Sequence, residues 1–263
     1  MSIDPVMLES HSLDQALALS MEAGWNQVAA DWAVFFRHGT VFGTMAKDQL
    51  IGTAAALPYG AFGWISMVLV TPAWRNRGVA TGLVKACLSH HRDAGRAMLL
   101  DATPAGAPVY ARLGLRPLGG LQRWAGQGGG QAAASAGVID PGWDSASFGA
   151  DRSFLLQDIM AREGSAALTG ATGFALLRRG ARATQLGPMT AAPEEQAALL
   201  DRAVDAARGP VLLDVLDAGH ALLSRLIARG FTLQRDFVRM ALGRDALPGR
   251  PTRLLVAAGP EFG

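Results

Sequence analysis

The segment with the strongest chemical character is residues 75–81, RNRGVAT, which follows the apolar run WISMVLV and precedes the helix-like stretch LVKACLSHH. A strand that turns through glycine straight into a helix leaves backbone N–H groups unpaired at the positive end of the helix dipole. Gly78 and Ala80 let an anion approach that backbone, while Arg75 and Arg77 add charge-assisted donors. The segment therefore predicts a pyrophosphate site, and an ordinary solvated helix cap is the alternative.

Short helices and strands surround this segment and have to position it. Helices are predicted at residues 13–23, 29–37 and 78–92, and strands at residues 40–46, 50–57, 64–70 and 97–101. Val79, Leu83, Cys87 and Leu88 recur along the third helix as one apolar stripe, which predicts that this helix packs on a sheet. Cys87 is accordingly expected to be a core side chain rather than a nucleophile.

Composition favours a globular protein of two domains. The chain has 263 residues, and a domain usually has about 100–200 residues. Half of the residues are hydrophobic, 17% are charged and the net charge is +2, which gives little support to disorder or nucleic-acid binding. The single cysteine and the absence of a basic and apolar leader predict a cytoplasmic protein. Pro58, Gly60 and Gly63 divide the uncharged span 50–70 into a hairpin, which argues against a membrane helix.

A glycine-rich stretch and an internal echo suggest how the chain is divided. Residues 125–143 begin with AGQGGGQAAASAG and are predicted to be a linker between domains at residues 1–124 and 144–263. MLLDATPAG at residues 98–106 resembles VLLDVLDAG at residues 211–219, and a helix-like stretch ending in glycine follows each. The matching order of elements favours a duplicated fold over coincidence.

Two motifs of the first half resemble signatures of the GCN5-related N-acetyltransferases (GNAT). In VTPAWRNRGVATGL, Arg75, Gly78 and Ala80 match the family's pyrophosphate loop, and YARLGL at residues 110–115 is similar to its C-terminal signature. The likeness covers about residues 24–115 in order. The resemblance implies an α/β (α+β) fold made of tandem GNAT units, each a mixed, mostly antiparallel sheet with a splayed strand pair and flanking helices.

The same resemblance implies acetyl transfer from acetyl-CoA to an amine, by direct attack in a ternary complex and without a metal. Pantetheine would pair with the backbone of the strand before the loop. The N–H groups of that strand would stabilise the oxyanion that forms when the amine attacks the thioester. Tyr110 matches the tyrosine that protonates the departing thiolate, and packing is its alternative role. The implied cofactor-binding residues are Val68, Val70, Arg75, Asn76, Arg77, Gly78, Val79, Ala80 and Thr81.

The general base and the acceptor are less clearly indicated. Many GNAT enzymes carry a glutamate on the splayed strands, but residues 50–70 contain no carboxylate. Asp31, His38, Asp101 and a water chain are the candidates. Trp25 and Tyr59 are predicted to bind the acceptor, with core packing as the alternative, and a small-molecule amine is favoured over a protein lysine. A homodimer is left open, and no nucleic-acid or membrane partner is expected.

The second half resembles the degenerate acetyltransferase-like domain of some bacterial GNAT members. Glu194 and Glu195 stand at the expected helix start and would repel pyrophosphate. Leu226 occupies the position that answers Tyr110 in the repeat. This half is expected to cover the acceptor side of the first domain or to provide an interface.

Two other functions stay open. A longer acyl-CoA is one alternative donor, which Gly52 and the alanines at residues 54–56 would accommodate. A non-catalytic CoA-responsive binding protein is the other, because no base is evident.

Overall fold

The computed structural model describes residues 4–131, called the first half here, and residues 138–263, called the second half. The first half contains β1 (Val6–Leu8), α1 (Leu13–Glu22), α2 (Ala29–His38), β2 (Thr40–Ala46), β3 (Gln49–Tyr59), β4 (Phe62–Val70), α3 (Val79–Asp93), β5 (Ala97–Ala102), α4 (Ala107–Arg112) and β6 (Arg116–Gln127). The second half contains α5 (Pro141–Phe148), α6 (Ser153–Ala161), β7 (Ala166–Thr169), β8 (Phe174–Arg179), β9 (Thr184–Thr190), α7 (Gln196–Ala206), β10 (Pro210–Leu216), α8 (Leu223–Ala228), β11 (Thr232–Leu242) and β12 (Leu254–Val256).

All the described strands belong to one sheet, in the order β1-β2-β3-β4-β5-β11-β6-β10-β12-β9-β8-β7. The middle of this order crosses the two halves. β11 of the second half pairs antiparallel with β5 of the first, and β6 of the first half pairs antiparallel with β10 of the second. Each half therefore gives its last long strand to the sheet of the other, so neither sheet is complete alone.

The two halves repeat the same series of elements. β4, α3, β5, α4 and β6 in the first half correspond to β9, α7, β10, α8 and β11 in the second. The turns after α4 and α8 show the repeat in detail: the Leu115 N–H donates to Tyr110 O at 3.2 Å, and the Phe231 N–H donates to Leu226 O at 3.0 Å. The duplicated fold predicted from the sequence echo is thus observed, with the strand exchange as an addition.

Apolar side chains fill three regions around the sheet. One cluster lies under α3 and α4, and a second lies under α7 and α8. The third and largest contains side chains of α1, α2, α5 and α6, so it joins the two halves. Cys87 lies in the first of these clusters and is fully buried, as the apolar stripe predicts.

Most predicted elements agree with the observed ones to within a few residues, but the segment joining the halves differs. Residues 125–127 of the expected linker are the end of β6, and its last residues, 141–143, begin α5. Residues 132–137 of that linker lie outside the described residues. The β3–β4 turn is also tighter than predicted, because Pro58 and Tyr59 still belong to β3 and pair with Gly63 and Phe62 of β4. In the described parts of the chain, every helix is too short or too polar to cross a membrane.

Candidate active site

A cavity of about 250 Å³ opens where β4 and β5 separate. The two strands are parallel neighbours only from Phe62 opposite Ala97 to Trp64 opposite Leu99. Beyond that point residues 65–68 of β4 line the cavity without a β5 partner. A strand edge that has lost its neighbour presents free backbone donors and acceptors, which an extended ligand can pair with.

The bend of β4 helps to open this edge. Met67 has a φ of 52°, and the β3–β4 register shifts around it, as in a β-bulge. A bulge twists a strand and changes the direction of its side chains. Val68, predicted to hold pantetheine, lines the cavity beside the bulge. Val70 lies at the end of β4, where its carbonyl accepts a hydrogen bond from Arg75 Nε at 3.1 Å.

The predicted pyrophosphate loop is an open turn at the start of α3. Gly78 is the N-cap with a φ of 82°, and no side chain of the described residues caps the helix. The first intrahelical bond runs from the Gly82 N–H to Gly78 O at 2.9 Å, which leaves the N–H groups of Val79, Ala80 and Thr81 available. A Cβ added at Gly78 would meet no atom within 4 Å, so the space beside this glycine is clear. This arrangement fits an anion.

The other loop residues have different surroundings. Arg75, Asn76 and Arg77 are exposed, and Arg77 lies over the Trp74 ring with 5.2 Å between guanidinium carbon and ring centroid. Asn76 adopts a left-handed φ of 60°, a conformation that asparagine tolerates better than most residues. The exposed charges are free to contact a phosphate group in solution.

Tyr110 lines the cavity from α4. Burial raises the pKa of its phenol to about 12. The phenol therefore stays protonated at neutral pH and is able to donate a proton to a strongly basic group such as a thiolate. The role predicted for Tyr110 is compatible with this position.

None of the three carboxylate or imidazole groups considered as a base is free in the cavity. Asp101 lines the cavity, but Arg239 binds both of its carboxylate oxygens at 2.8 and 2.9 Å. Asp31 is buried at the start of α2, where it accepts the Val28 N–H and pairs with Arg162 at 2.7 Å. His38 is exposed and packs on the Phe154 ring. Among the candidates that the sequence allows, a water chain is the remaining route for the acceptor proton.

The two aromatic residues that were predicted to bind the acceptor lie in different places. Trp25 lines the cavity together with its neighbours in the loop after α1. Tyr59 is 1% exposed and does not line it: its hydroxyl donates to Phe262 O at 3.0 Å, and its ring packs on Phe148. The structure therefore brings Trp25, Val68 and Tyr110 together and leaves Tyr59 in the core.

Several cavity residues come from the second half and were not predicted from the sequence. Arg182, Arg235, Pro260 and Glu261 all line it. Glu261 is buried and paired with Arg178; burial raises the pKa of its carboxyl, and the arginine opposes that shift. The only sequence signal for Glu261 is a single charge within the apolar ending VAAGPEFG. Arg182 and Arg235 stand in no recognisable motif.

The corresponding gap of the second half is filled. β9 and β10 pair in parallel only from Thr184 opposite Val211 to Leu186 opposite Leu213. Beyond that point β12 lies between them and pairs antiparallel with both strands. The place that corresponds to the cavity of the first half is therefore occupied by the chain itself.

Comparison with known proteins assigns both halves to one family. Residues 9–115 match the Acetyltransferase (GNAT) family, and residues 142–255 match the Acetyltransferase (GNAT) domain. The Uncharacterized N-acetyltransferase YitH of Bacillus subtilis is 23% identical over 258 residues, which cover 86% of this chain and 86% of that protein.

Solved structures show the same fold. A protein of Pyrococcus horikoshii provisionally assigned as an acetyltransferase has a TM-score of 0.83 and 17% identity, covering 98% of this chain and 95% of that one. A tandem GNAT protein from the clavulanic acid biosynthesis pathway has a TM-score of 0.61 and 15% identity, covering 91% of this chain and 98% of that one.

Proposed function

The chain belongs to the GNAT family as an acyltransferase with two GNAT domains, and from this premise we propose that it transfers acetyl from acetyl-CoA to the primary amine of a small molecule. The transfer proceeds by direct attack in a ternary complex at the site of the first half. The observation that carries the proposal is the cavity where β4 and β5 separate, which both Val68 and Tyr110 line. The open N-terminus of α3 follows β4 along the chain after the short segment at residues 71–78.

Each part of the donor has a matching feature in this site. The diphosphate suits the free N–H groups at residues 79–81 together with Arg75 and Arg77, because an anion is stabilised by unpaired donors at a helix start. Pantetheine suits the edge of β4 that β5 leaves at Val68 and Val70, where the Val70 carbonyl already accepts a hydrogen bond from Arg75 Nε. The thioester then lies in the cavity, within the part of the sheet where the strands diverge.

The chemistry needs one nucleophile and two proton movements. The neutral amine nitrogen attacks the thioester carbonyl carbon, the C–N bond forms and the C–S bond breaks. Tyr110 gives its phenolic proton to the departing sulfur, and the acceptor nitrogen loses a proton. Since Arg239 and Arg178 already engage the carboxylates of Asp101 and Glu261, we assign the second proton to a water chain that leads to solvent.

The two alternative functions receive less support. Gly52 was considered as space for a longer acyl chain, yet a Cβ added there would lie 2.9 Å from Leu69 O and 3.1 Å from Val79. The alanines at residues 54–56 are fully buried. A purely CoA-responsive protein would not need Tyr110 in the cavity, and turnover distinguishes it from a transferase.

The proposed donor site is tested by thermal melts with and without saturating acetyl-CoA. A ligand that binds only the folded state adds about 3 kcal/mol to the free energy of unfolding when its concentration is a hundred times its Kd. This added stability raises the melting midpoint. We expect a rise in the wild type that is lost in Gly78→Glu, because the carboxylate would stand in front of the free N–H groups. Thiol release with a panel of primary amines then tests transfer.

Gly95→Glu is the matched control for this variant. Gly95 lies just beyond the other end of α3, has a left-handed φ of 68° and has no atom within 4 Å of an added Cβ. The control therefore has the same charge and the same backbone strain at a distance from the loop. Equal loss of the acetyl-CoA shift in both variants, or no shift in the wild type, would contradict the donor site.

A further inference from the structure

The cavity of the first half continues into a wider groove, and the two differ in charge. The groove has a volume of about 800 Å³ and shares Gly24, Arg123, Arg182, Leu212 and Arg235 with the cavity. Carboxylates occur at the inner end, where Asp101 and Glu261 line the cavity. Among the described residues that line the outer groove there are four arginines and no carboxylate.

Two polar atoms at the inner end have no hydrogen-bond partner within the described structure. They are Ser66 Oγ and Gln27 Oε1, both fully shielded from solvent, and both residues line the cavity. Ser66 is 8% exposed and Gln27 is 7% exposed. A buried polar atom without a partner is costly, by about 1–3 kcal/mol, unless a ligand supplies the partner. Because both oxygens are shielded, an amine in the cavity supplies N–H donors to them only after the two side chains rotate.

Two arginines of the outer groove have no acidic partner in the part of the chain that the structure describes. Arg123 is held by Asp214 at 2.8 Å, and Arg229 pairs with Asp201 and Asp205. In contrast, no carboxylate of the described residues pairs with Arg182 or Arg235, and both are exposed.

The backbone fixes where these two arginines stand. Asn26 of the first half holds the β8–β9 turn: its Oδ1 accepts the Arg182 N–H at 2.9 Å and the Ala183 N–H at 3.0 Å. Gly24 has no side chain, and an added Cβ would lie 3.0 Å from the Arg182 guanidinium. Arg235 follows a register shift in β11, where a bulge turns the side chains of the strand.

We infer that the acceptor of this enzyme is an amine that also carries an anionic group, a carboxylate or a phosphate, and that Arg182 and Arg235 of the second half bind that anion. The inference rests on the proposed function, which places the reacting amine in the inner cavity near Ser66 and Gln27. The anionic end then extends into the groove, which Arg182 and Arg235 both line. The second half completes the acceptor site although its own strand gap is filled.

The test compares matched pairs of acceptors that differ in one anionic group. Phosphoethanolamine is paired with ethanolamine, and β-alanine with propylamine, each assayed by thiol release from acetyl-CoA. We expect kcat/KM for the anionic member to exceed that of its neutral partner by about tenfold or more, as for one charge-assisted hydrogen bond. The pair with the larger ratio identifies the anion as phosphate or carboxylate.

Arg182→Gln and Arg235→Gln, singly and together, test the assignment to these residues. The double variant should raise KM for the anionic acceptor by about tenfold or more, while kcat/KM for the neutral acceptor and the thermal shift with acetyl-CoA stay unchanged. Arg179→Gln is the matched control, because Arg179 is an exposed arginine at the end of β8 in the same hairpin that lines neither the cavity nor the groove.

The possible results separate the two proposals. Equal turnover of both members of each pair, or equal loss of both in the double variant, would overturn the anion site and leave the transferase intact. Absence of thiol release with every amine would contradict the transferase itself. Calorimetric titration with phosphoethanolamine, which needs no turnover, then decides the anion site: binding lost in the double variant supports it, and no binding to the wild type overturns it.

Discussion

The first and second halves each contain two parallel strands that part after three paired residues, and the gaps that follow have opposite contents. Between β4 and β5 there is a cavity lined by Val68 and Tyr110. Between β9 and β10 the gap is filled by β12, which pairs with both strands. A strand supplies the backbone partners that a ligand would otherwise supply, so the same fold is closed to an extended ligand in one copy and open in the other.

The helix starts after these strands differ in the same sense. The loop before α3 offers free N–H groups beside Arg75 and Arg77. At α7 the carboxylate of Glu195 accepts hydrogen bonds from the Ala171 and Thr172 N–H groups and from the Thr172 hydroxyl. Burial alone would raise the pKa of Glu195, but these hydrogen bonds lower it. An anionic side chain thus stands at the helix start where a pyrophosphate would need positive potential.

The filled gap also contributes to the open one. After β12 the chain continues through residues 257–263, in which Pro260 and Glu261 line the cavity of the first half. Trp64 Nε1 donates to Pro260 O at 2.9 Å, and Arg178 pairs with Glu261. One segment therefore closes the second gap and forms a wall of the first site.

The largest expected effect comes from separating the two halves. Expressed alone, residues 1–131 and 138–263 should each lack a cooperative thermal transition, because β6 and β11 complete each other's sheets and the largest apolar cluster is shared. Expressing both pieces together, with the chain opened in residues 132–137, should restore a transition measured by circular dichroism. A cooperative melt of either piece alone would show that the exchange is not essential to folding.

This exchange marks the limit of what the sequence predicts. Local patterns identified β2, the hairpin of β3 and β4, the apolar stripe of α3 and the loop at Gly78, since each depends on neighbours within a few residues. The partners of β6 and β11 could not be predicted, because any strand offers the same backbone groups and long-range packing selects among them. The position of β12 also depends on long-range packing and could not be predicted for the same reason.

The site was predicted to a similar extent. Tyr110 and Val68 belong to short motifs, and both line the cavity. The bidentate pairing of Asp101 with Arg239 joins residues far apart in the chain, and no local pattern indicates it. The same holds for Arg182 and Arg235, which contribute to the first site only because the second half folds over it. The assigned roles of all these residues stay predictions.

The next effect concerns the matching positions Tyr110 and Leu226. Tyr110→Phe should lower kcat by about a hundredfold or more, the usual contribution of a general acid, and leave the acetyl-CoA thermal shift unchanged. Leu226 is fully buried under the second half's sheet, so Leu226→Ala should cost about 2–5 kcal/mol of unfolding free energy with kcat preserved.

Steady-state kinetics and urea denaturation of both variants check this pair of predictions. If Tyr110→Phe kept wild-type kcat, Tyr110 would be a packing residue, as Leu226 is in the second half. The general acid would then have to be another residue. If kcat of Leu226→Ala fell at temperatures where the variant is still folded, the second half would instead contribute to catalysis.

The smallest effect is a pH dependence that distinguishes the halves. His91 of α3 is fully buried against Gly63; burial, with repulsion from His90 and Arg96, lowers its pKa to about 4. The unfolded chain takes up this proton near pH 6.5, so acidification favours unfolding: the stabilisation is complete above about pH 6.5 and is lost as the pH falls towards 4. Between pH 7 and pH 5 the loss is about 2 kcal/mol.

Urea denaturation at these two pH values measures the effect, and the difference between variants isolates it from other titrating groups. His91→Leu should remove about 2 kcal/mol from the pH-dependent loss. His220→Leu in the second half is the comparison variant, because the His220 side chain is half exposed rather than buried. If His91→Leu lost as much unfolding free energy between pH 7 and pH 5 as the wild type, His91 would accept its proton in the folded state. The loss of stability in acid would then arise outside the contact between α3 and β4.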